Sequence, residues 1–545
     1  MGDKMMNTHR MKMKRLAVGE RSLQVERLEA RRVLSADLDL GFGVEGLVTT
    51  DFTDGGNDEA RAMALQGDMI LVAGVAGAIR ASDKPVDVGG GGGGGGGGRS
   101  ARSVATALPD EVLVTTRGGG STRGGAPSGM GEPDDPLIPD FALARYLPGG
   151  ALDTSFGDSG KVLTNFGTTL DPEALTYDEA NGIVVLGDGT IVLVGSTRTE
   201  LEGENDFAIA IYDSEGQLVS KHTTDFGGDD FARKLALMEV GSQTMMVVAG
   251  TTSIADSPTD ADFAVARYTL AGTPDMPEVQ LDTSFGTEGK VTIDFFEGKD
   301  DAVDVLISGE KIIVVGHIKD SSRVEPQLFG GPLDFGVAQL TVSGELDQGY
   351  EGHEGFGTVN LVTEYRTGKV STDLASTIYP EEVDLYSTDE SWAGALQGDK
   401  IVVAGRYGAK GVSDFAVVRY TATGDLDEGF GGPEGHGAVH TDILGGPDSA
   451  YDVTVTTGNE IVLVGRATLN AKFSWAMAMY DGDGAFTDSF AAGYFAGEEG
   501  GPDQANVVLE DAQHGLLVAG WVSMPGTMVD FGMARYSLSG GPTAG

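Results

Sequence analysis

No cysteine occurs among the 545 residues. That excludes disulfide staples, thiolate metal sites and cysteine nucleophiles. The chain also lacks any unbroken run of eighteen apolar residues, so no segment is expected to span a membrane as a helix. Basic residues are scarce: Lys+Arg 37 against Asp+Glu 83 gives a formal net charge of -46. A surface so acidic repels a phosphate backbone, which excludes nucleic acid as an expected partner. It suits solubility and the attraction of cations or basic partners.

Glycine is abundant, with 85 residues, and hydrophobic residues make up 40%. Together they point to a turn-rich β protein with enough apolar surface for a core. Length alone would suggest three or four domains, but internal repetition overrides that prior. Three phrases recur in order. The clearest, Asp-Phe-Ala-x-Ala-Arg-Tyr, starts at Asp140, Asp206, Asp262, Asp334, Asp414, Ser474 and Asp530, at intervals of 56 to 80 residues. Before each lies an apolar run ending in glycine: Ile70–Gly74, Ile191–Gly195, Met246–Gly250, Ile312–Gly316, Ile401–Gly405, Ile461–Gly465 and Leu516–Gly520. The third phrase, Leu-Asp-Thr-Ser-Phe-Gly-x-x-Gly-Lys-Val, is clearest at Leu152–Val162 and Leu281–Val291, with looser forms from Leu38, Leu346 and Leu426.

Each unit holds four strand-like pieces, with first strand Gly46–Phe52 and second strand Ala60–Leu65 as examples. Period-2 alternation puts Phe263, Val265 and Arg267 on one face of the fourth strand and Ala264, Ala266 and Tyr268 on the other. The third strand is apolar throughout, as a strand covered on both faces should be. Seven thin sheets cover both faces by stacking around an axis. The expected fold is therefore all-β, a seven-bladed β-propeller of four-stranded antiparallel blades, over residues 38–540. The phrases divide it near 38–147, 152–213, 218–270, 281–342, 346–422, 426–481 and 486–538. On that division the ring closes by face packing of blades one and seven; a different cut would make it strand exchange. Residues 79–139, with ten glycines from Gly89 to Gly98, read as a disordered insertion in blade one.

The phrases Leu281–Val291, Lys400–Gly405 and Asp262–Tyr268 resemble the bacterial delta-60 repeat. That resemblance implies a propeller-like exported protein and brings no chemistry with it. Residues 1–37 form a basic leader without the apolar stretch of an ordinary signal peptide. Within it, Val25–Asp37 resembles the Leu-Glu-Pro-Arg…Leu-Leu-Ser-Ala surface-targeting motif of planctomycete proteins, with Ala30 where that motif has proline. The resemblance implies an extracellular or cell-surface location.

In an antiparallel four-stranded unit, the turns after strands one and three share a side. Loops of very different length collect there: 75–139, 196–205, 251–261, 317–333 and the enlarged turn 363–387. Variable loops on a rigid ring are where recognition is usually housed. The same face carries acidic turns at Asp58, Asp171, Asp229, Asp230, Asp300, Asp301, Asp389, Asp448 and Asp503. Oxygen ligands of this kind suit Ca²⁺, while an aspartate also caps a tight turn through its own side chain. Recurrence in every unit favours the cap. Arg145, Arg267, Arg419 and Arg535 recur in strand four, and Asp153, Asp282, Asp347 and Asp427 in the following link. They read as structural pairs fastening blade to blade.

Other motifs dissolve on inspection. Gly157-Asp158-Ser159-Gly160 copies a serine-protease phrase but is one version of the Phe-Gly-x-x-Gly turn, with no histidine base nearby. Asp481–Gly484 lacks the later ligands of a calcium loop. His436 and His440 share a strand face without a third ligand. No unique cluster of His, Arg, Tyr and carboxylates is evident in the sequence. The expected function is thus a monomeric, non-enzymatic binding or scaffold module for a protein or glycan. A metal-assisted hydrolase or lyase of acidic polysaccharide, and a purely structural acidic protein, are the alternatives.

Overall fold

A computed structural model describes residues 35–53, 56–78, 139–167, 177–199, 203–254, 257–273, 276–296, 298–319, 333–379, 387–409, 412–432, 436–469, 472–492, 502–523 and 529–539. Nearly all of 1–37 and 79–139, together with Asp171, lies outside them.

The expected fold is present: seven antiparallel sheets. Blade I comprises β3 (Asn57–Gln66), β4 (Met69–Ala78), β5 (Asp140–Tyr146) and β6 (Lys161–Thr164). Blade II comprises β7 (Tyr177–Val185), β8 (Ile191–Arg198), β9 (Asp206–Tyr212) and β10 (Leu218–Thr224). Blade III holds β11 (Asp230–Val240), β12 (Gln243–Ile254) and β13 (Ser257–Thr273), with β14 (Met276–Leu281) and β15 (Lys290–Ile293) both on β13. Blade IV comprises β16 (Asp301–Ser308), β17 (Lys311–Lys319), β18 (Leu333–Leu340) and β19 (Lys369–Thr372). Blade V comprises β20 (Glu390–Gln397), β21 (Lys400–Ala409), β22 (Val412–Tyr420) and β23 (Ala438–Thr441). Blade VI comprises β24 (Ser449–Val455), β25 (Ile461–Leu469), β26 (Lys472–Tyr480) and β27 (Phe486–Ala492). Blade VII joins the chain ends: β28 (Asp503–Asp511), β29 (Gly515–Val522) and β30 (Asp530–Ser539) carry β1 (Ser35–Leu38) and β2 (Leu47–Thr50) on the outer edge.

The blade limits therefore differ from those drawn on the phrases by one strand. The strand at Gly46–Phe52 does not open blade I; its core, Leu47–Thr50, pairs with Ala534–Phe531 of β30. Closure is by strand exchange. Phrase order does not reveal this, because an outer strand is separated from its own blade and from the next by links of similar length. The enlarged turn 363–387 holds β19 and a short helix, α1 (Leu374–Ile378), capped by Asp373.

The glycine ending each apolar run has a steric reason. Each inner strand, the first of its blade, carries a bulge opposite that glycine, with register breaks at Ala60/Ala62, Ala180/Gly182, Ala232/Lys234, Ala302/Asp304, Ser391/Ala393, Ala450/Asp452 and Ala505/Val507. A Cβ on Gly250 would stand 1.9 Å from the Phe231 carbonyl oxygen. Only glycine admits so close a backbone approach. The extra residue of each bulge is Arg61, Asn181, Arg233, Val303, Trp392, Tyr451 or Asn506.

The core lies between blades. Val247, Phe263 and Val265 of blade III, for example, pack with Ala302, Ile312 and Val314 of blade IV. Fully burying such side chains contributes roughly 1.5–3 kcal/mol each. Neighbouring blades are also joined by a tyrosine hydroxyl donating to a threonine hydroxyl: Tyr146 to Thr50 at 2.8 Å, Tyr212 to Thr164 at 2.7 Å, Tyr268 to Thr224 at 2.9 Å and Tyr420 to Thr372 at 2.8 Å. At the blade III–IV seam the phrase has Leu340 in place of tyrosine and the outer strand has Ile293 in place of threonine, both buried in one apolar cluster.

Candidate functional site

The recurring acidic turns are built from one buried aspartate at the head of each inner strand. Its carboxylate accepts backbone N–H groups from the preceding link: Phe52 to Asp58 at 2.6 Å, Phe226 to Asp230 at 2.5 Å, Phe295 to Asp300 at 2.8 Å, Leu374 to Asp389 at 2.8 Å and Ile443 to Asp448 at 2.7 Å. Asp503 accepts Ser523 N–H at 3.1 Å. In blade II the place belongs to Asp178, which accepts Phe166 N–H at 2.7 Å. The acidic turn expected at Asp171 is thus assigned to Asp178, which the long β6–β7 link displaced from the phrase spacing. Asp229 is exposed and accepts from Asn205 at 2.9 Å. Asp301 faces His317 instead.

Four of these aspartates meet two further carboxylates, one from the preceding link and one from the Asp-Phe phrase. The groups are Asp51, Asp58 and Asp530; Asp206, Asp225 and Asp230; Asp262, Asp294 and Asp300; and Asp334, Asp373 and Asp389, each with oxygens within 4.8 Å of one another. Burial pushes Asp58 up to about 6 and Asp230 and Asp300 to about 7, with neighbouring aspartates adding to the rise. Lysines of the following blade sit beside three of the groups, Lys161 on the Asp51 carbonyl, Lys290 on that of Asp225 and Lys369 on that of Asp294. In blade I an amide replaces the middle carboxylate, and Asn165 donates to Asp140 at 3.0 Å.

The strand-four arginines are found with the link aspartates: Arg145 with Asp153 at 2.9 Å, Arg267 with Asp282 at 2.6 Å, Arg419 with Asp427 at 2.7 Å and Arg535 with Asp39 at 2.6 Å. Each pair lies within a blade, and the same guanidinium donates to a carbonyl of the next blade, as Arg145 does to Ser214 at 2.6 Å and Arg535 to Pro148 at 2.7 Å. Among the described residues Asp347 has no arginine partner; Gln339 stands at that position, and Lys311 at 2.8 Å and His353 at 2.7 Å take over.

A cluster absent from the sequence reading forms where the inner strands of blades IV, V and VI converge. The bulge residues Trp392 and Tyr451 lie with ring centroids 5.5 Å apart, and the His317 ring is 5.6 Å from Trp392. His317 meets Asp301 at 3.5 Å and the Ser391 carbonyl at 3.1 Å. Burial pulls the imidazole down, but the Asp301 hydrogen bond and charge hold it above its ordinary value. Desolvation of the half-buried Asp301 works to raise its carboxyl, yet His317 keeps it well below the usual range. Arg406 pairs with Glu390. Arg466 lies 5.5 Å from the Tyr451 ring and 4.2 Å from that of Phe473, and donates to Gln504 at 3.0 Å.

Contacts continue round the ring. Gln504 donates to Asn506 at 2.7 Å, Asn506 to the Ala60 carbonyl at 2.8 Å, Arg61 to Asn181 at 2.9 Å and Asn181 to the Ala232 carbonyl at 3.0 Å. Trp392, Tyr451, Arg406 and Arg466 are all partly exposed. The arrangement joins aromatic faces to guanidinium donors, a pairing suited to a ring-shaped ligand with acceptor oxygens. Trp392 and Tyr451 share the bulge position, and Arg406 and Arg466 share the position after the glycine that ends the apolar run. A glycine-matched alignment of the seven units would have exposed both.

The decoy motifs resolve locally. Ser159 Oγ donates to Asp158. Asp481 accepts Asp483 and Ala485 N–H groups as a turn cap. His440 Nδ1 contacts Asp414 and its Nε2 the Tyr379 hydroxyl.

A family described as "Domain of unknown function (DUF5122) beta-propeller" matches residues 138–156 and 397–430, both spanning the Asp-Phe phrase and the link after it. The chain is a β-propeller repeat protein. No curated protein matches it. Among solved structures it is similar to a Dyadobacter fermentans protein of unknown function at 10% identity and TM-score 0.35, covering 66% of this chain and 94% of that one. It is similar to Sqt1 of Chaetomium thermophilum at 8% and 0.38, covering 93% and 100%. It is also similar to the polysaccharide lyase Uly1 at 11% and 0.40, covering 73% and 85%. Likeness at this level assigns neither ligand nor chemistry.

Proposed function

We propose that this propeller is a non-enzymatic binding module, displayed outside the cell, that takes a glycan or protein ligand at the mouth of its ring on the variable-loop face. The observation that carries the reading is the Trp392, Tyr451, Arg406 and Arg466 cluster. Partly exposed aromatics beside guanidinium groups break the repeat symmetry at one sector, and packing alone does not call for them there. The acidic surface and the basic leader support display outside the cell. A glycan-array screen of the purified chain tests the reading: binding lost in Trp392→Ala supports it, and binding unaffected by that change moves the site elsewhere.

His317 and Asp301 favour one second reading, a hydrolase or lyase of acidic polysaccharide, because an imidazole held by a carboxylate is a proton-transfer pair. Release of new reducing ends from such polymers, abolished in His317→Gln, would establish it. In both readings the aspartate groups act as turn caps.

A further inference from the structure

Among the described residues, the buried side-chain N–H donors that lack any acceptor are Arg198 Nε, Trp392 Nε1 and Arg406 Nε. Two of the three belong to one sector of the ring mouth. A buried donor without an acceptor costs about 1–3 kcal/mol, so two in one small cluster mark a place where acceptor oxygens are wanted.

Charge points the same way. Among the described residues no carboxylate lies within ion-pair distance of Arg466, whose guanidinium is held by two aromatic rings and Gln504. Arg233, the bulge residue of β11, likewise has no ion-pair partner among them and acts on Asp301 only through its charge. Burial lifts Asp304 to about 6 and raises Asp452, and Lys234 beside Arg233 offsets part of both rises. Two arginines without an ion-pair partner among the described residues, Arg233 and Arg466, are therefore kept at the mouth of a chain whose net charge is -46. An overall field of that sign repels anions, so their local recognition needs such a site.

From these donors and cations together with the Trp392–Tyr451 pair, we infer that the ring mouth binds an anionic saccharide, a sugar ring carrying carboxylate or sulfate. The inference rests on the binding-module reading above and names its ligand class. The sugar's apolar face packs on Trp392 and Tyr451. Its anionic group meets the Arg466 fork, which suits planar, two-pronged recognition of a carboxylate. Trp392 Nε1 and Arg406 Nε are themselves closed to solvent, and ring hydroxyls reach them as acceptors only when the two side chains turn toward the sugar.

The test is a fluorescence titration. The chain has three tryptophans; Trp475 and Trp521 are 2% and 3% exposed, so a ligand-dependent change reports on Trp392. The probes are a galacturonate oligosaccharide, a heparin-derived oligosaccharide, neutral maltohexaose and poly-glutamate. The expected result is saturable binding of one or both anionic sugars, weakened about tenfold in Arg466→Gln. It should be recovered in part by Arg466→Lys and diminished by salt. Thermal melting of each variant checks that the ring is intact, and Trp392→Phe should remove the signal without unfolding the chain. The galacturonate and heparin arms separate carboxylate from sulfate. Equal binding of maltohexaose overturns the inference and leaves the binding-module reading standing. Preference for poly-glutamate overturns it in favour of an acidic polypeptide. Silence from all four probes overturns the inference, while a hit on the wider glycan array would still preserve the broader reading.

Discussion

Arg535 and Asp39 stand 496 residues apart in the chain and meet at 2.6 Å on the outer part of blade VII. The pair repeats, at the junction of the chain ends, what Arg145 and Asp153 do within eight residues in blade I. Arg535 also donates to Pro148 of blade I, so one guanidinium binds the first strand, the last strand and the next blade.

Arg535→Met should therefore lower the stability of the whole ring by about 1–3 kcal/mol, since it leaves Asp39 without its charged donor. Chemical denaturation measures it. The same change at Arg267 should cost a similar amount without loosening residues 35–50, which hydrogen exchange distinguishes.

The tyrosine–threonine seams carry a second expectation. Tyr268→Phe orphans the buried Thr224 hydroxyl and should cost about 1 kcal/mol. The double variant Tyr268→Phe/Thr224→Val should recover much of that loss, because the chain itself pairs Leu340 with Ile293 at the equivalent seam. A double-mutant cycle read by denaturation checks the coupling.

Stability should fall as pH rises through the neutral range. Asp58, Asp262, Asp448 and Asp503 are pushed by burial up to about 6, and Asp230 and Asp300 to about 7. Between about pH 4 and these values the folded chain holds protons that the unfolded chain has released, so each step upward in pH favours unfolding. Below about pH 4 the arginine-bound Asp153, Asp282 and Asp427, whose pKa values are lowered, reverse the slope. Thermal melts should peak near pH 4. Asp300→Asn should flatten the neutral limb.

The aspartate groups are expected to act as turn caps, because backbone N–H groups already bind the buried member of each. Millimolar Ca²⁺ should then leave the melting midpoint at pH 8 unmoved. A rise of several degrees would assign the groups to a cation instead.

The seven-fold count was legible because each unit repeats an apolar strand ended by glycine and a strand headed by aspartate. Both are dictated locally, by the bulge that Gly250 must approach and by the link that Asp300 must cap. The blade cut was not legible. Whether Leu47–Thr50 pairs with β3 or with β30 depends on closure across the whole chain. The ring mouth escaped for another reason: Trp392 and Tyr451 are bulge residues outside every recurring phrase, Arg406 and Arg466 follow the run-ending glycine, and only the packing of neighbouring blades brings them together.

The most direct test of the account is a cross-link between the chain ends. Asp37 and Ser537 are partners in the β1–β30 pairing and both are exposed, and the chain has no cysteine of its own to interfere. In Asp37→Cys/Ser537→Cys, oxidation should yield an intramolecular disulfide in nearly every molecule, with unchanged monomeric size and a raised melting midpoint. Thiols that stay free, or that join two chains, would contradict a ring closed by its own first strands around a single mouth.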